Sequence, residues 1–225
     1  MTEKIFIVIP AFNEEAVIQE VIDEAKKSGY ENIIIVDDGS SDDTFQKAKE
    51  RNVFALRHKI NRGKGAAAKT GIEAAKLLGA EIAVTMDADG QHNPADIAKM
   101  IQLLENGHDV VLGTRLQNPA GMPQYKIFAN RIGNFFTWMI YGLWVTDSQS
   151  GFRAYSKRAM EQIDTRTDHY EYDSEVIREI RRNQLKHVEI PIEVRYTEYS
   201  MGKLQKQGFV NGLKTLYNMI WSIIS

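Results

Sequence analysis

The chain has 225 residues, 43% hydrophobic and 26% charged, which is enough apolar material for one substantial core without staples. It contains no cysteine, which excludes disulfides, thiolate nucleophiles and Cys-ligated zinc and leaves oxygen-rich sites as the natural metal chemistry. Its 28 basic and 30 acidic residues leave a net charge of −2, so nothing global favours nucleic acid as a partner.

Met1-Thr2-Glu3-Lys4 runs straight into a strand over 5–9, too short an apolar stretch for a secretory leader, and none is expected. A helix over about 14–28, a strand over 32–36, a helix over about 42–51 and a strand over 53–56 follow. Next come a helix over about 64–78, a strand over 81–86, a helix over about 94–106 and a strand over 109–113. This alternation predicts an α/β fold, a mainly parallel sheet with helices on both faces, in which ligands bind beyond the carboxyl ends of the strands. The second half is less regular: an apolar segment near 125–145, a turn-rich stretch over 147–153, a helix over about 173–183, a strand-like run over 188–196 and an amphipathic helix over about 208–224. The apolar tract over 127–145 is interrupted by Asn130, Arg131, Gly133 and Asn134, so no transmembrane segment is expected.

Three polar loops directly follow predicted strands. Asp87 and Asp89 stand two apart at a strand end, where both carboxylates can face one hard cation such as Mg²⁺ or Mn²⁺, with Gln91 as a further oxygen donor. A plain polar turn fits the same residues. A calcium loop of the EF-hand type does not, because its twelfth position, counted from Asp87, is Ala98 rather than Glu. In Asp37-Asp38-Gly39-Ser40-Ser41-Asp42, turn and capping chemistry account for Gly39 to Asp42, while two adjacent acids call for a hydrogen-bond donor such as a base N–H or a ribose hydroxyl. Asn61-Arg62-Gly63-Lys64-Gly65-Ala66 opens a helix with backbone N–H groups and a lysine that suit a phosphate. The five histidines show no metal-ligand spacing and are expected to be structural or exposed.

Together with Pro10-Ala11-Phe12-Asn13-Glu14 and Gly113-Thr114-Arg115, these blocks resemble the family 2 glycosyltransferases of GT-A (Rossmann-like) fold. Asp147-Ser148-Gln149-Ser150-Gly151-Phe152-Arg153 and Tyr170-Glu171-Tyr172-Asp173-Ser174-Glu175 extend the resemblance to the polyprenyl-phosphate branch, typified by dolichyl-phosphate mannose synthase. The resemblance implies one domain, with a nucleotide-sugar half over about 1–115 and an acceptor half over about 116–225. It implies donor contacts at Pro10, Phe12, Glu14, Val36, Asp38, Lys64, Asp87, Ala88, Asp89, Arg195 and Lys203, and metal ligands at Asp87, Asp89 and Gln91. It further implies acceptor contacts at Arg115, Arg131, Ser150, Arg153 and Glu175, with Asp89, Arg115 and Arg131 carrying the chemistry. The chain departs from the pattern at Phe12, where tyrosine is usual, and at Ser200-Met201-Gly202-Lys203, which only approximates Gly-x-Ser-Lys. The implied reaction is inverting transfer of mannose or glucose from GDP-mannose or UDP-glucose to dolichyl or another polyprenyl phosphate. Two alternatives stand beside it: a soluble family 2 enzyme acting on a sugar hydroxyl, and a non-catalytic nucleotide-binding regulator.

A lipid phosphate is already anionic at neutral pH, so it attacks without a protein base; Glu175 is a candidate base only for a hydroxyl acceptor, and a helix cap explains it equally. Phe128, Phe135, Phe136, Trp138, Tyr141 and Trp144 beside Arg131 suit a bilayer interface, and core packing or a dimer interface suits them equally well. Peripheral contact with the cytoplasmic face of the membrane, direct or through a membrane-anchored subunit, is the corresponding expectation.

Overall fold

The computed structural model describes residues 4–117, 122, 124–169, 171–195 and 199. Seven strands form one sheet in the order β3-β2-β1-β4-β6-β5-β7. The strands are β1 (Ile5–Ala11), β2 (Ile33–Asp37), β3 (Phe54–Arg57), β4 (Ile82–Thr85), β5 (Val110–Thr114), β6 (Arg153–Ser156) and β7 (His187–Pro191). All neighbours pair in parallel except β6, which runs antiparallel between β4 and β5. The inner strands are buried on both faces, which is why β2 reads as the unbroken run Ile-Ile-Ile-Val rather than as an alternation.

Helix α1 (Ile18–Lys27) lays Ile18, Val21, Ile22 and Ala25 on one side of the sheet together with α4 (Asp96–Glu105). The other face receives α3 (Lys64–Leu77), α6 (Lys157–Gln162) and α7 (Glu171–Arg182). Helix α3 approaches closely because Ala66, Ala67, Ala68, Gly71 and Ala75 line its inner side; a Cβ at Gly71 would strike the Val8 side chain. The short α2 (Thr44–Lys49) packs beside α1 and β3.

The expected elements of the first half are all present, with boundaries moved by a few residues. The helix expected from Glu14 begins at Ile18, and the run over 188–196 ends as a strand at Pro191, with only Val194 bridging to His92. Strand β6 and helix α6 have no counterpart among the sequence expectations. The expected helix over 208–224 lies outside the described residues.

The apolar segment near 125–145 is a helix, α5 (Gln124–Tyr141), with its polarity turned inside out. Asn134 and Thr137 face the protein: Asn134 Oδ1 accepts from the Ser148 N–H and hydroxyl at 2.9 Å each, and the Thr137 hydroxyl meets those of Ser148 and Ser174 at 3.3 Å. Phe128, Ile132, Phe135, Trp138 and Met139 face outward, Phe128 at 67% exposure. Core packing among the described residues therefore does not account for Phe128, Phe135, Trp138 and Trp144, the exposed members of the aromatic stripe. None of the described helices is long and apolar enough to cross a membrane.

Candidate active site

The carboxyl ends of β1, β2 and β4 bring the three polar loops to one edge of the sheet, flanking the point where the strand order reverses at β1. Asp37 is fully buried and ion-paired with Arg57 at 3.0 Å. Asp38, 2% exposed, accepts from the Arg62 and Gly63 N–H groups at 3.0 and 2.7 Å and lies 2.7 Å from His58 Nδ1. Two of the N–H groups of the 61–66 segment expected for a phosphate, those of Arg62 and Gly63, are thus turned inward. Gly63, at φ +105°, directs that turn, and the Ala66 N–H donates to the Asp168 carbonyl. Pro10 and Val36 are paired across β1 and β2, with the Val36 side chain in the core and Pro10 half-buried. Phe12 presents its ring to solvent. Glu14 is buried and accepts from the Tyr199 hydroxyl at 2.8 Å.

The acidic loop after β4 meets Lys64 from the start of α3. Lys64 Nζ lies 2.7 Å from Asp87 Oδ1 and 3.6 Å from Asp173 Oδ2, linking the loop to α7. Burial alone would pull the Lys64 ammonium down, but Asp173 and Asp87 outweigh it and hold the group firmly charged. Burial likewise opposes ionisation of Asp87, yet Lys64 and His92 hold its carboxyl well below the usual range. Asp89 is pushed the other way, upward, by burial first and then by the charge of Asp87. It accepts from the Gln91 N–H at 3.0 Å and from Gln91 Nε2 at 2.8 Å. Ala88 is buried between the two acids.

His92 is buried, stacks on Phe152 at 4.8 Å, and its Nδ1 accepts from the Asp87 N–H at 3.2 Å. It therefore sits inside the site, packed on Phe152 just ahead of β6 and bonded to the acidic loop. Gly151 closes the floor: a Cβ there would lie 2.5 Å from Lys64 Nζ and 2.7 Å from Asp87 Oδ1. Two carboxylates whose mutual repulsion raises one of them, with an amide beside them, suit a small hard cation that draws its remaining ligands from phosphate and water. Among the described residues no group of three or more His, Asp or Glu side chains forms a self-sufficient metal cage.

Arg115, at the end of β5, is clamped by the buried Asp147, its Nε and Nη2 at 2.7 and 2.8 Å and its backbone N–H at 3.0 Å from that carboxylate. This clamp sets the guanidinium beside Asp87, whose ionisation it favours. Ser150 is buried, its hydroxyl without a hydrogen-bond partner among the described residues.

Two residues expected at the acceptor surface lie inside instead. Arg153 is 1% exposed and donates to the Ser148 and Asp173 carbonyls at 2.8 and 2.9 Å. Glu175 is buried as well, accepting from the Arg166 and Thr167 N–H groups and the Thr167 hydroxyl while pairing with Arg178 at 2.7 Å. Arg131 is exposed on the outward aromatic face of α5. Arg195 places its N–H on the Gln91 carbonyl at 2.9 Å while its side chain pairs with Glu24 at 2.8 Å. Lys203 lies outside the described residues.

The linkages through His58, Asp147, Asp173 and Tyr199 were not assigned from sequence as site contacts. The partners of Arg115, Lys64 and Glu14 are 32, 109 and 185 positions away, and no local spacing marks them.

A mainly parallel sheet with an Asp-x-Asp loop at the carboxyl end of its central strand is the arrangement of a GT-A glycosyltransferase, and the family comparison agrees. The chain belongs to glycosyl transferase family 2, which matches residues 6–164. It is 43% identical to an uncharacterised protein of Methanocaldococcus jannaschii, over 97% of this chain and 91% of that one. It is 40% identical to a UDP-N-acetylglucosamine–dolichyl-phosphate N-acetylglucosaminyltransferase of Methanococcus voltae, over 96% of this chain and 94% of that one. A polyprenol monophosphomannose synthase of Mycolicibacterium smegmatis is 26% identical over 92% of this chain and 82% of its own. Among solved structures, glucosyl-3-phosphoglycerate synthase of Mycobacterium tuberculosis with phosphoglyceric acid superposes with a TM-score of 0.70 at 18% identity, over 97% of this chain and 80% of that one. The same enzyme with Mn²⁺, uridine diphosphate and phosphoglyceric acid gives 0.67 at 20%, over 96% and 78%. These structural likenesses concern the fold.

Proposed function

We propose that the chain transfers a hexose or N-acetylhexosamine from a nucleoside-diphosphate sugar to a polyprenyl phosphate, with inversion, while touching the membrane peripherally. The observation that carries this reading is the pairing of a charged sheet-edge site, Lys64, Asp87, Asp89 and Arg115, with a helix whose aromatic face points outward. The name of the 40% identical relative favours a uridine donor, N-acetylglucosamine before glucose, over GDP-mannose. Asp87, Asp89 and Gln91 would hold Mg²⁺ or Mn²⁺, which supplies charge neutralisation for the departing diphosphate. Lys64 keeps Asp87 ionised and in place. Arg115, oriented by Asp147, and Arg131, on the membrane-facing helix, receive the acceptor phosphate. An already ionised phosphate needs no protein base, in keeping with a Glu175 whose carboxylate is spent on the 166–167 loop and Arg178. That same engagement counts against a hydroxyl acceptor activated by Glu175.

The test is transfer from labelled UDP-N-acetylglucosamine, UDP-glucose and GDP-mannose to polyprenyl phosphate, with and without chelator. Chelator-sensitive lipid product is expected from one of them. Product only with soluble sugars would move the reading to a hydroxyl acceptor, and nucleotide binding without turnover would make the chain a regulator.

Arg115→Lys keeps the charge but cannot both hold Asp147 with two hydrogen bonds and present a further N–H to the acceptor, so the acceptor KM is expected to rise about tenfold with the donor KM unchanged, one charge-assisted hydrogen bond's worth. A donor-side defect would reassign Arg115. Phe128→Glu with Trp138→Glu is expected to weaken association with anionic liposomes about tenfold or more, since each aromatic contributes roughly 1.5–3 kcal/mol when buried. Both side chains are exposed, so the melting temperature should not move. Undiminished flotation with liposomes would remove α5 as the contact.

A further inference from the structure

Asp38 is held from two sides in a way the donor contacts expected at this loop do not require. Its Oδ1 lies 2.7 Å from His58 Nδ1 and accepts from the Arg62 N–H at 3.0 Å, while Oδ2 accepts from the Gly63 N–H at 2.7 Å. A carboxylate offers about four lone-pair sites, so three are filled and one, on Oδ2, is left. His58 comes directly after β3, where its own N–H donates to the Asp37 carbonyl at 2.9 Å. Its other ring nitrogen, Nε2, meets the Thr70 hydroxyl on α3 at 3.0 Å. Facing a carboxylate, Nδ1 carries the proton and donates. The chain Thr70–His58–Asp38 thus joins α3, the end of β3 and the end of β2 to the 61–63 turn. The imidazole is nearly enclosed, at 11% side-chain exposure against 3% for Asp38.

The imidazole joins Asp38 to Thr70, polar groups that an apolar side chain would leave without these partners. What the imidazole adds is a donor for the second lone pair of Oδ1, which leaves the one open lone pair on Oδ2. The two backbone donors lie in one turn and take one lone pair on each oxygen; without His58 a lone pair stays open on Oδ1 as well as on Oδ2, and an incoming donor is no longer directed to one of them. A buried carboxylate that must meet a donor N–H or O–H gains most from that restraint, because reorganisation is then not required at binding.

We propose that His58 is a positioning residue of the donor site: it orients Asp38 so that the remaining Oδ2 lone pair faces the nucleoside, and it acts through Asp38 without touching the substrate. The inference rests on the donor reading given above.

The test uses the full chain with two replacements that mimic opposite ring nitrogens. Asparagine in His58→Asn places its amide N–H near Nδ1 and retains the Asp38 bond, whereas glutamine in His58→Gln reaches the Nε2 position and Thr70 but not Asp38. Titration calorimetry with UDP and with GDP, each with Mg²⁺, and donor and acceptor kinetics supply the readouts. His58→Gln is expected to weaken nucleoside diphosphate binding and raise the donor KM about tenfold, the effect of one charge-assisted hydrogen bond, with kcat and the acceptor KM within about twofold. His58→Asn is expected to stay within about threefold of wild type on every readout, since that bond is retained. Equal behaviour of the two variants, tight or weak, overturns the inference, because a residue that only fills space does not distinguish them. A wild-type chain that binds neither UDP nor GDP removes the donor reading and this inference with it. A wild type that binds, beside a His58→Gln chain that binds as well, removes the inference alone.

Discussion

Asp89→Ala is expected to lower kcat/KM for transfer by about 10³-fold or more, because a cation held on the leaving diphosphate contributes several kcal/mol to the transition state. The protein should remain folded, and its melting temperature should hold or rise. Asp89 is a half-buried carboxyl raised by desolvation and by the neighbouring Asp87 charge, so its removal relieves repulsion while giving up two hydrogen bonds from Gln91. Mn²⁺ binding, followed by electron paramagnetic resonance, should be lost in parallel with activity. Full chelator-sensitive activity in Asp89→Ala would remove this residue from the metal site.

Arg153→Ala should act on stability first. Arg153 is enclosed at 1% exposure among Ser148, Asp173 and the Lys64–Asp87 pair, and its loss leaves the Asp173 carboxylate with Lys64 as its remaining nearby cation, 3.6 Å away. Removing one partner of such a group costs about 3 kcal/mol. For a chain of this size that is a fall in melting temperature of roughly 6–12 °C. Differential scanning calorimetry checks it, and an unchanged melting temperature would return Arg153 to the acceptor surface. Arg153→Met, which restores volume without charge, should lose less if packing dominates the defect.

Much of the fold was legible because the first half obeys short-range rules. Strands β1, β2 and β4 are apolar runs ended by acids or by Pro-Ala-Phe-Asn-Glu, and the helices between them carry periodic stripes. Strand β6 was not legible: Arg-Ala-Tyr-Ser has no apolar alternation, and it becomes a strand because it fills the gap between β4 and β5 and buries its arginine against Asp173. Helix α5 was ambiguous for a related reason. An aromatic stripe looks the same in sequence whether it faces a core or leaves one, and only the docking of Asn134 and Thr137 onto Ser148 and Ser174 decides the direction.

The acidic cluster at Asp87–Asp89, the strand-end acids at Asp37–Asp38 and Arg115 at the edge of the sheet were determined by sequence alone, because each directly follows a strand and parallel strands deliver their carboxyl ends to one side. Which of those groups remains available was decided by the tertiary structure. Folding spends the Arg62 and Gly63 N–H groups on Asp38, Arg153 and Glu175 on buried partners, and the Nε and Nη2 edge of Arg115 on Asp147, since a polar group withdrawn from water must find its partner wherever the chain brings one.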